Sequence, residues 1–186
     1  MLGWKRQHNT YYYGSGAYKY VDDLISRKGD ILIVSPYIDR YYAELILKKS
    51  HVSRFYVISS SIDERALDIL KGRSSPLRFI GYLALSAIML WLAIFIGLKW
   101  PYLLISIAPM AIWAFKHLGR RPKIALKVPR QFVHAKMYIS AGMAITGSAN
   151  LTYSGTHRNA EHINVIYDAD DISRLKDQFW EIWGGI

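Results

Sequence analysis

The feature that constrains this chain most is a long uncharged run in its middle. The run extends from Phe79 to Leu98 and covers 20 residues. As an α-helix rising about 1.5 Å per residue it would be roughly 30 Å long, which matches the hydrocarbon core of a bilayer. A second apolar run, from Tyr102 to Phe115, follows after a brief turn and contains Pro109. The sequence therefore predicts two membrane spans, at about residues 79–98 and 101–116, and leaves open whether the shorter second one fully crosses.

Basic residues flank this predicted hairpin on both sides, whereas its tip carries Lys99 alone. The flanking residues are Lys71, Arg73, Arg78, Lys116, Arg120, Arg121 and Lys123. Cytoplasmic flanks of membrane spans are enriched in Lys and Arg, so the pattern predicts a two-span hairpin with both ends in the cytoplasm. The expected location is thus the membrane, with the rest of the chain facing the cytoplasm. A buried helical pair within a soluble core is the alternative.

The charge of the chain is strongly basic and unevenly distributed. There are 24 Lys and Arg against 14 Asp and Glu, giving a formal net charge of +10. None of the acidic residues lies between Ile69 and Ala160, a stretch that holds 12 of the basic ones. Such a field attracts anions, either phosphate groups or acidic lipid headgroups. Because cysteine is absent, disulfides, thiolate metal sites and a cysteine nucleophile are excluded.

On either side of the predicted hairpin, apolar strand-like segments alternate with amphipathic helical ones, which is typical of an α/β domain. Strands are expected at 30–35, 54–59, 123–128, 136–140, 143–146 and 162–167, and helices at 17–28, 40–49, 63–71 and 170–183. The hairpin therefore interrupts a domain. We expect residues 1–73 to form its N-terminal half, 74–121 the membrane insertion, and 122–186 the C-terminal half.

The residues suited to catalysis lie in this C-terminal half. His134 and Lys136 are two apart on a predicted strand, so their side chains face the same way. Ser148 and Asn150 follow in a Gly-Ser-Ala-Asn loop, and Glu161 begins the next strand. A neutral imidazole at His134 can attack phosphorus and form a phosphohistidine, while Lys136, Ser148 and Asn150 bind phosphate oxygens. Glu161 is expected to accept a hydrogen bond from the other imidazole nitrogen.

His-x-Lys followed by Gly-Ser-x-Asn resembles the signature of the phospholipase D superfamily. The resemblance extends through Arg158 to Ile166 and into the closing helix, and it is greatest to single-motif members, which are small endonucleases and a membrane-anchored mitochondrial homologue. It implies a mixed sheet flanked by helices and a two-step, metal-independent phosphodiesterase that needs no cofactor. The chain departs from the family pattern at Ala141, where the family has Asp, and its Gly147-Ser148 pair arrives one residue early.

The chain contains one His-x-Lys, whereas the mechanism needs one imidazole to attack and another to protonate the leaving group. We therefore expect a homodimer that shares a composite active site. Nucleic acid is the expected substrate, with the bilayer as a partner through the hairpin. Two alternatives stay open: a phospholipid-directed phospholipase D or phosphatidyl transferase that acts on lipid headgroups, and an inactive membrane adaptor that binds polyanions.

Two aromatic features are left without a definite role by the sequence. Tyr37 follows Ser35 and Pro36 at the end of a predicted strand beside the expected site, where it either shapes substrate entry or belongs to a simple turn. Tyr11, Tyr12 and Tyr13 either stack on nucleic acid bases or, more commonly for such a cluster, pack against the domain.

Overall fold

The computed structural model describes residues 9–72, 76–97, 104–118 and 122–185. The chain divides into two compact units. One consists of Met1–Lys71 with Pro122–Ile186, and the other is Gly72–Arg121. Each unit is described in turn.

The first unit is an α/β fold with nine strands, four α-helices and one π-helical turn (Ser154–Arg158) among its described residues. The strands are β1 (Thr10–Gly14), β2 (Asp30–Val34), β3 (Tyr37–Ile38), β4 (Arg54–Ile58), β5 (Ser61–Ile62), β6 (Ile124–Lys127), β7 (Met137–Ser140), β8 (Met143–Gly147) and β9 (Glu161–Ile166). The helices are α1 (Tyr18–Ser26), α2 (Arg40–Lys49), α3 (Glu64–Leu70) and, closing the chain, α6 (Ala169–Gly184). Helices α2 and α6 begin after Asp39 and Asp168, whose carboxylates accept hydrogen bonds from backbone N–H groups of the first turn.

Seven of the strands form one mixed sheet in the order β1-β9-β8-β7-β2-β4-β6. Strands β2, β4 and β6 are parallel to one another, whereas β7, β8, β9 and β1 join as successive antiparallel neighbours. The short strands β3 and β5 form a separate parallel pair. The predicted mixed sheet flanked by helices is confirmed.

Apolar residues of the central strands are buried on both faces of the sheet. Along β2, Ile31 and Ile33 join a core with helices α1 and α2, whereas Leu32 and Val34 join a second core with α6. Successive side chains of a strand point to opposite faces, so a continuously apolar strand requires cover on both sides. This requirement explains the DILIV sequence of β2.

Strand β1 was not predicted, although its sequence carries the tyrosine cluster. It pairs antiparallel with β9 at one edge of the sheet. Tyr12 is half-buried and its ring lies 5.5 Å from that of Tyr20, whereas Tyr11 and Tyr13 are exposed. The cluster is therefore an alternating edge strand in which one tyrosine packs against the domain.

The second unit contains helix α4 (Pro76–Phe95), a short 3-10 helix (Leu104–Ile107) and helix α5 (Ala108–Leu118). Helix α4 contacts both of the other elements. Several of its large apolar side chains, among them Ile80 and Trp91, are exposed. The contacts within this unit thus bury only part of the α4 surface.

The prediction of a two-span transmembrane hairpin is wrong. Among the described residues, no helix combines the length and apolarity that crossing a membrane requires. Helix α4 begins at Pro76 and ends at Phe95, so it starts before the predicted span, includes the charged Arg78 and stops short of the predicted end. The second run is divided between the 3-10 helix and α5, which has 11 residues. The predicted membrane location fails with the hairpin, while parts of both runs lie outside the described residues.

A close backbone approach joins β8 to β9 at Gly147. The residue has a φ of +154°, and a Cβ atom there would lie 2.1 Å from the carbonyl oxygen of His162. Neither this conformation nor this contact admits a side chain. Glycine at this position therefore lets the end of β8 lie against the start of β9.

We expect Gly147→Ala to destabilise the fold by roughly 2 kcal/mol or more, because the backbone is strained and its neighbour is also backbone. Thermal unfolding followed by circular dichroism measures the effect. Gly142→Ala is the matched control, since its added Cβ would meet only Arg27 Nη1 at 3.9 Å. Equal melting temperatures for the two variants would contradict this account of Gly147.

Candidate active site

Four strand ends meet at one edge of the sheet and bring the predicted site residues together. Met137 at the start of β7 pairs with Thr146 near the end of β8 and with Val34 at the end of β2. Strand β9 is antiparallel to β8, with Gly147 opposite Ile163. The segments before β7, after β8 and after β2 therefore emerge beside the start of β9.

His134 and Lys136 lie in the segment before β7, whereas the sequence placed them in the strand itself. Their side chains still meet as expected. The Lys136 Nζ lies 3.3 Å from Nδ1 and 3.1 Å from Nε2 of the His134 imidazole, and it donates to the His134 carbonyl oxygen at 2.9 Å. Because Nζ is almost equidistant from the two ring nitrogens, it is not aligned with the in-plane lone pair of either. A ring nitrogen thus remains available to a substrate.

Ser148 and Glu161 form the second part of the site. The Ser148 hydroxyl donates a short hydrogen bond to Glu161 Oε2 and accepts one from the backbone N–H of His162 at 3.1 Å. Glu161 is buried, and its Oε1 accepts from Asn159 Nδ2 at 3.3 Å. The sequence predicted that Glu161 would orient His134. In the structure its hydrogen bonds go instead to Ser148 and Asn159.

Asn150 lies in the loop after β8 and is half-buried. Its Oδ1 atom is buried, and no hydrogen-bond partner for that atom is present among the described residues. The loop itself is firmly held, because the neighbouring Ala149 carbonyl accepts from the buried Tyr138 hydroxyl at 2.6 Å. The Leu151 N–H donates to Ser35 Oγ at 2.9 Å. Asn150 is therefore an incompletely bonded amide on a fixed loop.

Two features of its environment shift the pKa of Lys136 in opposite directions. Partial burial lowers the pKa of Lys136 from its ordinary value of 10.5, and the nearby Glu161 carboxylate opposes the shift. Burial also raises the pKa of the Tyr138 phenol, and the same carboxylate adds to that shift. Tyr138 therefore stays a neutral donor to the loop over the whole useful pH range.

Ala141, where the resembled family has Asp, lies at the opposite end of the β7-β8 hairpin. Strand β7 leads away from Lys136, and its four residues rise roughly 13 Å before the exposed turn at Ala141 and Gly142. The substitution therefore affects the turn and leaves His134 and Lys136 without a direct change of neighbours.

Two residues beside the site were not predicted from the sequence. Asn159 donates a hydrogen bond to Glu161 Oε1, and only its closeness to Glu161 in the chain could have indicated this role. The Phe132 ring lies 6.1 Å from the His134 ring, between centroids; its placement depends on a loop that no pattern specifies. Among the described residues, no group of three or more His, Cys, Asp or Glu side chains is placed to hold a metal ion.

The assembled groups suit chemistry on an anion. A ring nitrogen, an ammonium group, a hydroxyl and an amide lie at the end of one sheet, where a tetrahedral anion can accept several hydrogen bonds. The segment 122–160 carries five basic residues and no acidic ones. The arrangement therefore favours binding of a phosphate group next to a potential nitrogen nucleophile.

Comparisons with known proteins concern the segment that carries these residues and the fold of the chain. A family profile described as "Cardiolipin synthase, PLD-like domain" matches residues 110–183, a range that includes every predicted site residue. No curated protein sequence gives a significant match.

Three solved structures are similar in fold. NucT from Helicobacter pylori is 12% identical with a TM-score of 0.56, and the alignment covers 95% of this chain and 96% of that one. Nuc from Salmonella typhimurium, described as a phospholipase D family member, is 14% identical with a TM-score of 0.54 and 95% coverage of each chain. Phosphatidylserine synthase from Haemophilus influenzae is 14% identical with a TM-score of 0.50, and the alignment covers 93% of this chain but 38% of that one.

These identities establish likeness of fold alone, whereas the profile match covers the site-bearing segment itself. What is shown is therefore the likeness of residues 110–183, less than half of the chain, to a PLD-like domain, within a fold that the three solved structures share.

Proposed function

We propose that the chain is a phosphodiesterase that cleaves nucleic acid through a covalent phosphohistidine at His134. The observation that carries the proposal is the contact of the Lys136 ammonium with the His134 imidazole, at the same sheet edge as the Ser148–Glu161 pair. An imidazole beside a cation can approach a phosphodiester closely, because the cation offsets the negative charge of the phosphate. Phosphodiesterase or phosphotransferase activity is also what the likeness of residues 110–183 to a PLD-like domain suggests.

In the first step one bond to phosphorus forms and another breaks. A neutral ring nitrogen of His134 attacks, the P–N bond forms, and the P–O bond to the leaving group breaks with its electron pair on oxygen. Lys136 and Asn150 donate hydrogen bonds to the nonbridging oxygens as charge develops on them. The Ser148 hydroxyl has one proton, which it donates to Glu161 in the structure, so Ser148 joins them by turning that proton from Glu161 to a phosphate oxygen.

The leaving oxygen needs a proton, and in this proposal His134 of a second copy supplies it. That second imidazole then takes a proton from water, the water oxygen attacks phosphorus, and the P–N bond breaks to release a phosphomonoester. Each copy provides one imidazole, so the homodimer shares one composite site. No metal or cofactor takes part in this sequence of steps.

Nucleic acid is favoured over phospholipid by size and by charge. The alignment with phosphatidylserine synthase covers 38% of that chain, whereas those with NucT and Nuc cover nearly all of theirs. The basic residues of 122–160 suit a polyanion with repeated phosphates. The lipid alternative depended mainly on the predicted membrane hairpin, and within the described residues no helix is long and apolar enough to span a bilayer.

We expect His134→Ala to lower kcat/KM by roughly 10³-fold or more in the presence of a metal chelator, because the nucleophile is lost. Single-stranded oligonucleotide and phosphatidylglycerol vesicles are assayed side by side. His51→Ala, which changes an exposed histidine in a turn, is the control. Undiminished turnover in the His134 variant would remove the proposed nucleophile. Headgroup release without oligonucleotide cleavage would instead establish the phospholipid-directed alternative, and anion binding without hydrolysis the inactive adaptor.

The pH dependence of cleavage provides a second test, because Lys136 must be protonated to donate to phosphate. Burial lowers the pKa of Lys136, so the ammonium loses its proton at a lower pH than an ordinary lysine. We expect the alkaline limb of kcat/KM to lie below pH 10.5. Lys136→Arg should move that limb upward, since guanidinium stays charged. The exposed Lys19→Arg variant should leave it unchanged; an unmoved limb in the Lys136 variant would exclude Lys136 as its origin.

The shared site predicts how activity responds to mixing with an inactive variant. If both His134 side chains are needed, only dimers of two wild-type chains are active. An equimolar mixture of wild type and His134→Ala that exchanges subunits should then have about one quarter of the activity of pure wild type at the same total protein concentration. Mixing wild type with Gly142→Ala should retain nearly all of it. Retention of one half, or a monomer in solution during turnover, would contradict a composite site.

A further inference from the structure

An exposed aromatic pair lies directly beside His134. The rings of Tyr37 and Phe132 are 6.0 Å apart between centroids, and Phe132 is 6.1 Å from the His134 ring. Tyr37 is 45% exposed and Phe132 is 53% exposed. We refer to these two residues as the aromatic pair. Large rings normally bury most of their surface, so two adjacent exposed rings at a catalytic edge are available to a ligand.

Backbone hydrogen bonds hold both members of the pair in position. The Tyr37 carbonyl accepts from Ser35 Oγ at 2.8 Å, and Tyr37 begins β3, which pairs with β5. Next to Phe132, the Val133 N–H donates to Ser60 Oγ at 2.8 Å, and that hydroxyl donates to the Val133 carbonyl at 3.2 Å. The rings are therefore exposed side chains on fixed backbone, and binding a ligand on them costs little ordering entropy.

The composition of the surrounding segment indicates which ligand suits the pair. An apolar ring surface next to a phosphate-binding group fits a molecule that carries a flat apolar ring close to a phosphate. The basic residues of the segment are Lys123, Lys127, Arg130, Lys136 and Arg158, and no acidic residue interrupts them. Aromatic side chains combined with a basic track are how single-stranded nucleic acid is bound without reading its sequence.

We propose that Tyr37 and Phe132 form a stacking site for the base adjacent to the scissile phosphate. The inference rests on the proposed function and adds the position of a nucleotide on the protein. In a nucleotide one sugar joins base to phosphate, so a phosphate at His134 places a neighbouring base within reach of Phe132. The base must be unstacked to lie there, which makes unpaired nucleic acid the preferred substrate. Exposed rings elsewhere are farther from the site: Tyr11 on β1, for example, pairs with Asn164, whereas Glu161 pairs with Gly14.

The test uses a substrate with a single scissile bond, the dinucleotide thymidylyl-thymidine, and two analogues in which one or the other thymine is replaced by hydrogen. Stacking of one base is worth about 1–3 kcal/mol, so Phe132→Ala should lower kcat/KM on the dinucleotide about tenfold. The same substitution should have almost no effect on the analogue that lacks the stacked base. Phe132→Trp should retain or improve activity, and Tyr37→Ala should act in the same direction as Phe132→Ala.

Tyr11→Ala is the matched control, because it removes an exposed ring from the same unit, three residues along β1 from the residue that pairs with Glu161. Melting curves verify that each variant is folded, as expected for residues this exposed. Equal losses on all three substrates, or none on any, would overturn the stacking site while the phosphodiesterase stands. Absence of cleavage by the wild type of both the dinucleotide and longer oligonucleotides would overturn the proposed function and the stacking site with it.

Discussion

The candidate site depends on one buried carboxylate, that of Glu161. It stands at the first residue of β9 and is 8% exposed. Burying a charged carboxylate is expensive unless hydrogen bonds or opposite charges compensate it. Here Ser148 and Asn159 donate to its two oxygens, and the charge of Lys136 interacts with it favourably. Two of the groups that compensate Glu161, Ser148 and Lys136, are also proposed phosphate ligands, so the burial of this carboxylate helps to arrange the candidate site.

Much of this arrangement could be predicted from the sequence. The DILIV strand is recognisable as a continuous apolar run, and the helix at 40–49 has an amphipathic pattern. His134 and Lys136 are in contact, as their two-residue separation allows, although both precede the strand that was expected to carry them. Local patterns specify such features because the interactions that determine them are close in the chain.

What the sequence could not supply depended on distant contacts or on element boundaries. The pairing of β8 with β9 brings Ser148 beside the Glu161 carboxylate. The sequence alone did not distinguish this hydrogen bond from the expected one to His134. Strand β1 was missed because an edge strand has just one covered face and only Tyr12 carries the signal. The transmembrane prediction failed because it took the length of each helix from the length of the apolar run. The helices of the structure begin and end at other residues.

The position of Lys136 shows how a bound anion would act on the charge of the candidate site. Without an anion, partial burial disfavours the ammonium form, and Glu161 restores only part of that loss. A phosphodiester bound beside Nζ adds a second negative charge at short range, which favours the protonated form further. The cation is thus most firmly charged when phosphate is present. Lys136 therefore couples anion binding at His134 to its own charge, and Glu161 sets the balance from which that coupling starts.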